Sequence, residues 1–128
     1  MAKIIYAATP FRLDSSKGSI CDFIQLQGHF PIHPFYALPL DRYNYNNFSR
    51  EEIMKVCYGM INLCDELWIF GLGSGSIDEW KKAGELKLPR RSLVKQFDPK
   101  WEEYLRNPKH ARNAEIMREI LDANNQIY

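Results

Sequence analysis

The sequence predicts an α/β domain: a small doubly wound parallel sheet of four to five strands, Rossmann-like or flavodoxin-like, followed by a C-terminal helical tail. Three observations predict it. Short, apolar, β-prone runs alternate with segments of helical periodicity. The clearest strand, residues 66–70, contains the unbroken apolar run Leu67-Trp68-Ile69-Phe70 expected of a strand covered on both faces. That strand passes through Gly71-Leu72-Gly73-Ser74-Gly75-Ser76 into a further helix, the usual form of a βα turn. Residues 1–97 are assigned to the α/β domain and 98–128 to the helical extension.

Taken in order, residues 3–8 are a buried first strand that stops at Thr9-Pro10. Residues 14–27 read as a helix, with Asp14, Ser15 or Ser16 as cap and Gly28 ending it in the left-handed conformation. A second strand spans 29–35, where Pro31 and Pro34 confine it to a sheet edge or to strand ends. The aromatic, polar stretch 36–48 is a long loop of the kind that covers a ligand. Ser49 with Glu52 has capping-box spacing, and Ile53, Cys57, Met60, Ile61 and Cys64 follow at helical intervals. After the central strand, 77–87 form a third helix and 92–97 a fourth strand. In the tail, Asp98-Pro99 and Asn107-Pro108 each place a cap residue before proline, predicting two helices. Ile116, Met117, Ile120 and Leu121 make a stripe that either packs on the sheet or pairs subunits.

The chain has 128 residues, 45% hydrophobic and 13% aromatic, enough apolar surface to close one core. Seventeen basic against sixteen acidic side chains give a net charge of +1, which argues against a nucleic-acid polymer or an anionic membrane as partner and for a small molecule. The three cysteines lack CxxC or Cys/His spacing and read as reduced core residues; with no signal-peptide core at the start, a cytoplasmic location is expected. His29, His33 and His110 lack metal-ligand spacing, so neither a metal nor a cofactor is expected.

In a parallel α/β sheet the ligand lies beyond the carboxyl ends of the strands, here among the loops 9–17, 35–48 and 71–76. Alternate glycines at Gly71, Gly73 and Gly75 allow close backbone approach, and the amides of Gly73, Ser74, Gly75 and Ser76 suit a phosphate or carboxylate; a plain tight turn explains the same residues equally well. The spacing is neither GxGxxG nor a P-loop, and Gly73-Ser74-Gly75 is not a serine-hydrolase elbow. Asp78 and Glu79 begin the following helix, where a carboxylate can act as nucleophile or general base. Ser76 and Glu79 also have capping-box spacing, which on its own reads first as a cap. Tyr6, Phe11 and Arg12 flank the first βα turn, where a ring can stack on a base and a guanidinium can hold an anion. His33 stands at a strand end beside the same loops, and Asp65 immediately precedes the central strand.

Ile4-Ile5-Tyr6-Ala7-Ala8-Thr9-Pro10-Phe11-Arg12, Gly28-His29-Phe30-Pro31-Ile32-His33-Pro34, Cys64-Asp65-Glu66-Leu67-Trp68-Ile69-Phe70-Gly71, and Ser74-Gly75-Ser76 followed by Glu79, Ala83 and Pro89 together resemble the nucleoside 2-deoxyribosyltransferase-like family, including its deoxynucleotide N-hydrolase relatives. The likeness spans about residues 3–96. It implies that Glu79 is a nucleophile attacking the anomeric carbon, that Asp78 or a loop residue assists the leaving base, and that Tyr6 with Thr9, Pro10, Phe11 and Arg12 lines sugar and base. It implies that the amides of Gly73, Ser74, Gly75 and Ser76 hold the sugar's 5′ end or phosphate, and that the chain is a homo-oligomer acting on a small-molecule nucleoside or nucleotide; His33 and Asp65 join the candidate binding residues by their places at strand ends, where a hydrogen-bonded structural histidine and a capping or orienting aspartate fit them first. The loop Leu72-Gly73-Ser74-Gly75 lacks an aspartate common in the transferases, and Val56-Cys57-Tyr58 lacks an acidic residue of the preceding helix, which favours hydrolysis or binding over base exchange. The alternative to an enzyme is a non-catalytic nucleotide-binding module, a sensor or sequestering protein.

Overall fold

The computed structural model describes residues 1–124. Four parallel strands, β1 (Ile4–Ala8), β2 (Phe30–Ile32), β3 (Glu66–Ile69) and β4 (Arg90–Ser92), form one sheet in the order β2-β1-β3-β4. Beside them lie α1 (Lys17–Leu26), α2 (Pro34–Ala37), α3 (Arg50–Ile61), α4 (Ser74–Glu85), α5 (Val94–Phe97), α6 (Trp101–Arg106) and α7 (Ala114–Asp122). This is the expected doubly wound, Rossmann-like architecture with four strands.

Pleating divides the central strands between two cores. Tyr6, Ala8, Leu67 and Ile69 face a cluster with Ile61 of α3, Ile77 and Trp80 of α4, and Met117, Ile120 and Leu121 of α7. Ile5, Ala7, Trp68 and Phe70 face the other way, onto Ile20 and Ile24 of α1. The tail's apolar stripe thus covers the sheet, and its buried members are not free to pair subunits. The assigned extension 98–128 shares the domain's core through α7, while its last four residues lie outside the described ones.

Several boundaries differ from expectation. Asp14, Ser15 and Ser16 do not cap a helix: Phe11–Ser16 is a 3₁₀ turn that runs straight into α1, so Lys17 N–H already bonds Asp14 O, and the Asp14 carboxylate is taken by Lys17 Nζ at 3.1 Å. Gly28 does end α1 in the left-handed region, at φ 87°. Strand β2 covers only Phe30–Ile32 at the sheet edge, where Pro31 costs no ladder bond to an outer neighbour; Pro34 opens α2 instead of ending the strand. The Ser49–Glu52 capping box is complete in both directions.

Strand β4 is Arg90–Ser92, not 92–97. Its register pairs Leu67 with Arg90 and Ile69 with Ser92, Leu93 N–H makes the last bond to Ile69 O at 2.8 Å, and beyond it the neighbouring strand turns away at Gly71, leaving Val94 to Phe97 without a ladder. That stretch folds into α5, whose Phe97 packs edge-on to Phe70 at 4.9 Å. Arg90 and Arg91 read as polar, yet each guanidinium lies 4.6 Å from a tryptophan ring centroid, Trp80 and Trp68 respectively. Helix α4 begins at Ser74, three residues before its predicted start, because Ile77 N–H already reaches Gly73 O at 2.9 Å. In the tail, Asn107 accepts from Lys109 N as predicted; Asp98 likewise accepts from Lys100 N, but α6 starts only after Lys100, so that bond closes the turn ahead of the helix.

Candidate functional site

The chain leaves β1 toward β2 on one side and leaves β3 toward β4 on the other. The gap between the carboxyl ends of β1 and β3 is therefore the sheet's switch point, where loops diverge and leave a crevice. Thr9-Pro10 and Gly71-Leu72-Gly73 come off these two ends in close contact. A Cβ on Gly71 would stand 2.6 Å from Leu13 Cδ1 and 2.8 Å from the Pro10 ring, and one on Gly73 would stand 2.7 Å from Pro10 Cβ. These two glycines are packing requirements. Gly75 is not, since its nearest neighbour would be Met54 Sδ at 3.9 Å, and its open side belongs to the crevice.

The helix that follows determines the chemistry. Ser76 Oγ donates to Gly71 O at 2.8 Å and Gly73 O at 3.2 Å, fastening the turn instead of capping the helix, and no side chain caps the first-turn amides of α4. Glu79, one turn on, does not fold back on Ser76. Its Oε2 accepts from the Tyr6 hydroxyl, which reaches it from the middle of β1. Glu79 is 4% exposed, and burial pushes its carboxyl up to about 8, against the opposing hydrogen bonds from Tyr6 and Cys57. Burial and the Glu79 charge hold the Tyr6 phenol far above its usual range, so it remains a donor.

Glu79 forms part of the wall of a cleft of about 220 Å³ that also takes in Thr9, Pro10, Phe11, Gly73, Ser74, Gly75 and Ser76. Eight of the residues singled out from the sequence are thereby brought together, with Tyr6 directly behind them. The volume is below the ~300–1,000 Å³ of drug-sized pockets and suits part of a small ligand. The remaining wall comes from Pro34, Phe35, Leu40, Arg50, Ile53, Met54 and Cys57. Phe35 and Leu40 belong to the loop 35–48 expected beside the ligand, whereas sequence reasoning missed Ile53, Met54 and Cys57, which lie on the inward face of α3, where the helical apolar period reads as core.

Four expected site residues lie elsewhere. Asp78 points outward and pairs with Arg50 at 2.7 Å, outside the cleft wall. Arg12 is committed within the fold: its guanidinium grips both oxygens of Asp98 at 2.6 Å and the Leu72 carbonyl at 2.7 Å. Asp98 also accepts from Leu72 N at 2.9 Å and Lys100 N at 3.0 Å. Burial favours its neutral form, but Arg12 and the two amides outweigh burial and lower its pKa. This clamp ties the β1 loop, the β3 loop and the start of the tail together. Asp65 sits at the opposite end of the sheet, accepting from Ile4 N at 2.8 Å.

His33 stands one layer behind the cleft. Its Nδ1 accepts from Phe35 N–H at 3.1 Å, so Nε2 carries the proton and donates to Thr9 Oγ1 at 3.1 Å; that hydroxyl in turn donates to Ala7 O at 3.2 Å. Burial and the Lys17 charge lower His33 to about 4, keeping this chain neutral and fixed. Thr9 is thereby oriented, with its own proton already committed.

The chain matches no known family model, no curated protein and no solved structure.

Two larger hollows, of about 650 and 670 Å³, lie against α7 and along the β2 edge, and neither has a buried carboxyl in its wall. Among the described residues no group of three or more His, Cys, Asp or Glu side chains is arranged to hold a metal ion, and no helix is long and apolar enough to cross a membrane. The switch-point cleft offers one buried carboxyl with a tyrosine donor behind it and uncapped helix amides beside it. Such a set can carry nucleophilic or proton-transfer chemistry on a polar small molecule.

Proposed function

We propose that this protein cleaves the N-glycosidic bond of a nucleoside or nucleotide, with Glu79 as the nucleophile. The observation that carries the reading is the direction of the Glu79 side chain: it turns from its own helix terminus to the cleft and the Tyr6 hydroxyl. In its ionised form the carboxylate attacks the anomeric carbon through an oxocarbenium-like transition state as the C1′–N bond breaks and the departing base takes a proton from water; a further water then splits the glycosyl-enzyme ester, releasing the sugar and the free carboxylate and giving its proton to solvent. Tyr6 holds Glu79 in place and stabilises its negative charge. Glu79 is the one carboxylate among the cleft's described residues, which supports hydrolysis over base exchange, since no second carboxylate stands ready to serve an incoming base.

Glu79→Ala is expected to abolish base release from nucleosides and nucleotides, followed by chromatography, while leaving circular dichroism unchanged. Release at the parental rate refutes the mechanism. The burial that makes Glu79 largely protonated at neutral pH supports a second reading, a binding module without turnover. Tight calorimetric binding of a nucleotide with no base released over hours favours it.

A further inference from the structure

The Glu79 cleft has a neighbour. Phe11, Leu40, Arg50 and Ile53 of its wall also line an outer chamber of about 530 Å³ formed with residues of the loop 43–48. That chamber is aromatic: Tyr45 and Phe48 pack with ring centroids 6.2 Å apart, and Phe11, Tyr43 and Phe48 are each more than half exposed. Rings that stay in water at the mouth of a cleft offer stacking faces for a planar base. Arg50 lies at the junction, and among the described residues it is the only cation of either wall.

Its present partner is weakly held. Arg50 Nη2 donates to one oxygen of Asp78 at 2.7 Å, and both side chains are partly exposed, 57% and 33%. An exposed pair of this kind contributes little, so a dianionic group arriving through the chamber competes with Asp78 on favourable terms. A guanidinium suits that exchange because its donor fork matches two phosphate oxygens. Among the described residues neither wall offers such a group a second cation. Asp78 is the nearby charge that must give way.

We propose that Arg50 is the specificity residue of this site: it leaves Asp78 to bind the phosphate of a nucleotide, so the cleft takes phosphorylated ligands in preference to free nucleosides. This rests on the nucleoside or nucleotide reading of the cleft and names its ligand class. Asp78 acts as the counter-ion that keeps Arg50 in place while the site is empty.

Calorimetry with matched pairs, each a 2′-deoxynucleoside and its 5′-monophosphate, tests this on the full chain, with released base measured in the same samples. The parental protein is expected to bind the monophosphate at least about tenfold more tightly. Arg50→Gln removes that preference, bringing each pair to within about threefold, and Asp78→Asn increases it by freeing the guanidinium. Raising salt weakens monophosphate binding more than nucleoside binding. Equal affinities within each parental pair, a preference that survives Arg50→Gln, or equal weakening of both members by that substitution overturns the proposal. Base release without a phosphate preference overturns it while leaving the glycosidic reading standing, binding without release or preference overturns it and favours the binding module, and neither binding nor release with any member of the panel overturns both readings.

Discussion

Replacing Glu79 by glutamine is expected to stabilise the protein, increasingly so as the pH rises. The carboxyl is neutral in the folded chain up to about pH 8, whereas in the unfolded chain it ionises near its ordinary value of 4.5. Below that value both states are protonated and the group contributes nothing to the pH dependence. Between about 4.5 and 8 the unfolded state loses its proton while the folded state retains it, so each pH unit lowers stability by ~1.4 kcal/mol. Above about 8 the folded state ionises too and the loss levels off, at an accumulated difference on the order of 5 kcal/mol. Glutamine has nearly the same shape, can accept from Tyr6 through its amide oxygen and does not titrate. Urea denaturation of the parental and Glu79→Gln proteins from pH 4 to 9, followed by the fluorescence of buried Trp68 and Trp80, measures the difference directly. The variant's advantage is expected to be near zero at pH 4, to rise through pH 5 to 7 and to flatten above 8. A difference that stays constant with pH, or a variant less stable than the parent at pH 8, refutes the assignment of a desolvated, protonated carboxyl.

The same group sets two further outcomes, the Arg12–Asp98 clamp a third and the backbone a fourth. Because a nucleophile must be ionised, kcat/KM for base release is expected to rise about tenfold per pH unit up to about 8 and then level, and a flat profile over pH 5 to 8 speaks against Glu79 in the free protein as that nucleophile. Tyr6→Phe removes the bond that lowers the Glu79 pKa, so the rising limb should move to higher pH, with a stability loss of ~1–3 kcal/mol on denaturant unfolding. Arg12→Ala leaves the fully buried Asp98 carboxylate without its partner and should cost ~3–5 kcal/mol; a loss of affinity at unchanged stability would instead return Arg12 to the ligand. Lys87 sits at φ 59° where α4 ends, so Lys87→Gly should raise stability by up to ~1 kcal/mol in the same titration.

The extent to which this molecule was legible depended on how local each cause was. The β3 run Leu67 to Phe70, the Ser49–Glu52 capping box and the Gly28 terminus are set by residues within a few positions of one another, and all three stand where the sequence puts them. Arg90 and Arg91 hid β4 because their strand character depends on Trp80 and Trp68, distant in sequence, which shield their guanidinium groups. Residues 94–97 misled in the opposite direction: they are sufficiently apolar for a strand, but β3 ends before they can pair. At the site, the loops around Thr9 and Gly73 were visible as the carboxyl ends of two strands, while Ile53, Met54 and Cys57 were concealed by an apolar helical period that cannot distinguish a core from a cleft wall.

By itself, the sequence determined an α/β chain with parallel strands, the position of its βα loops and the two carboxylates at the start of one helix, because periodicity and turn chemistry act over short stretches of chain. Only the tertiary structure separated those carboxylates. Asp78 and Glu79 are neighbouring carboxylates, and helical rotation sends one out to Arg50 and the other in to Tyr6. Burial then raises the inward one to about 8, an effect of the surrounding fold that adjacent sequence positions cannot express.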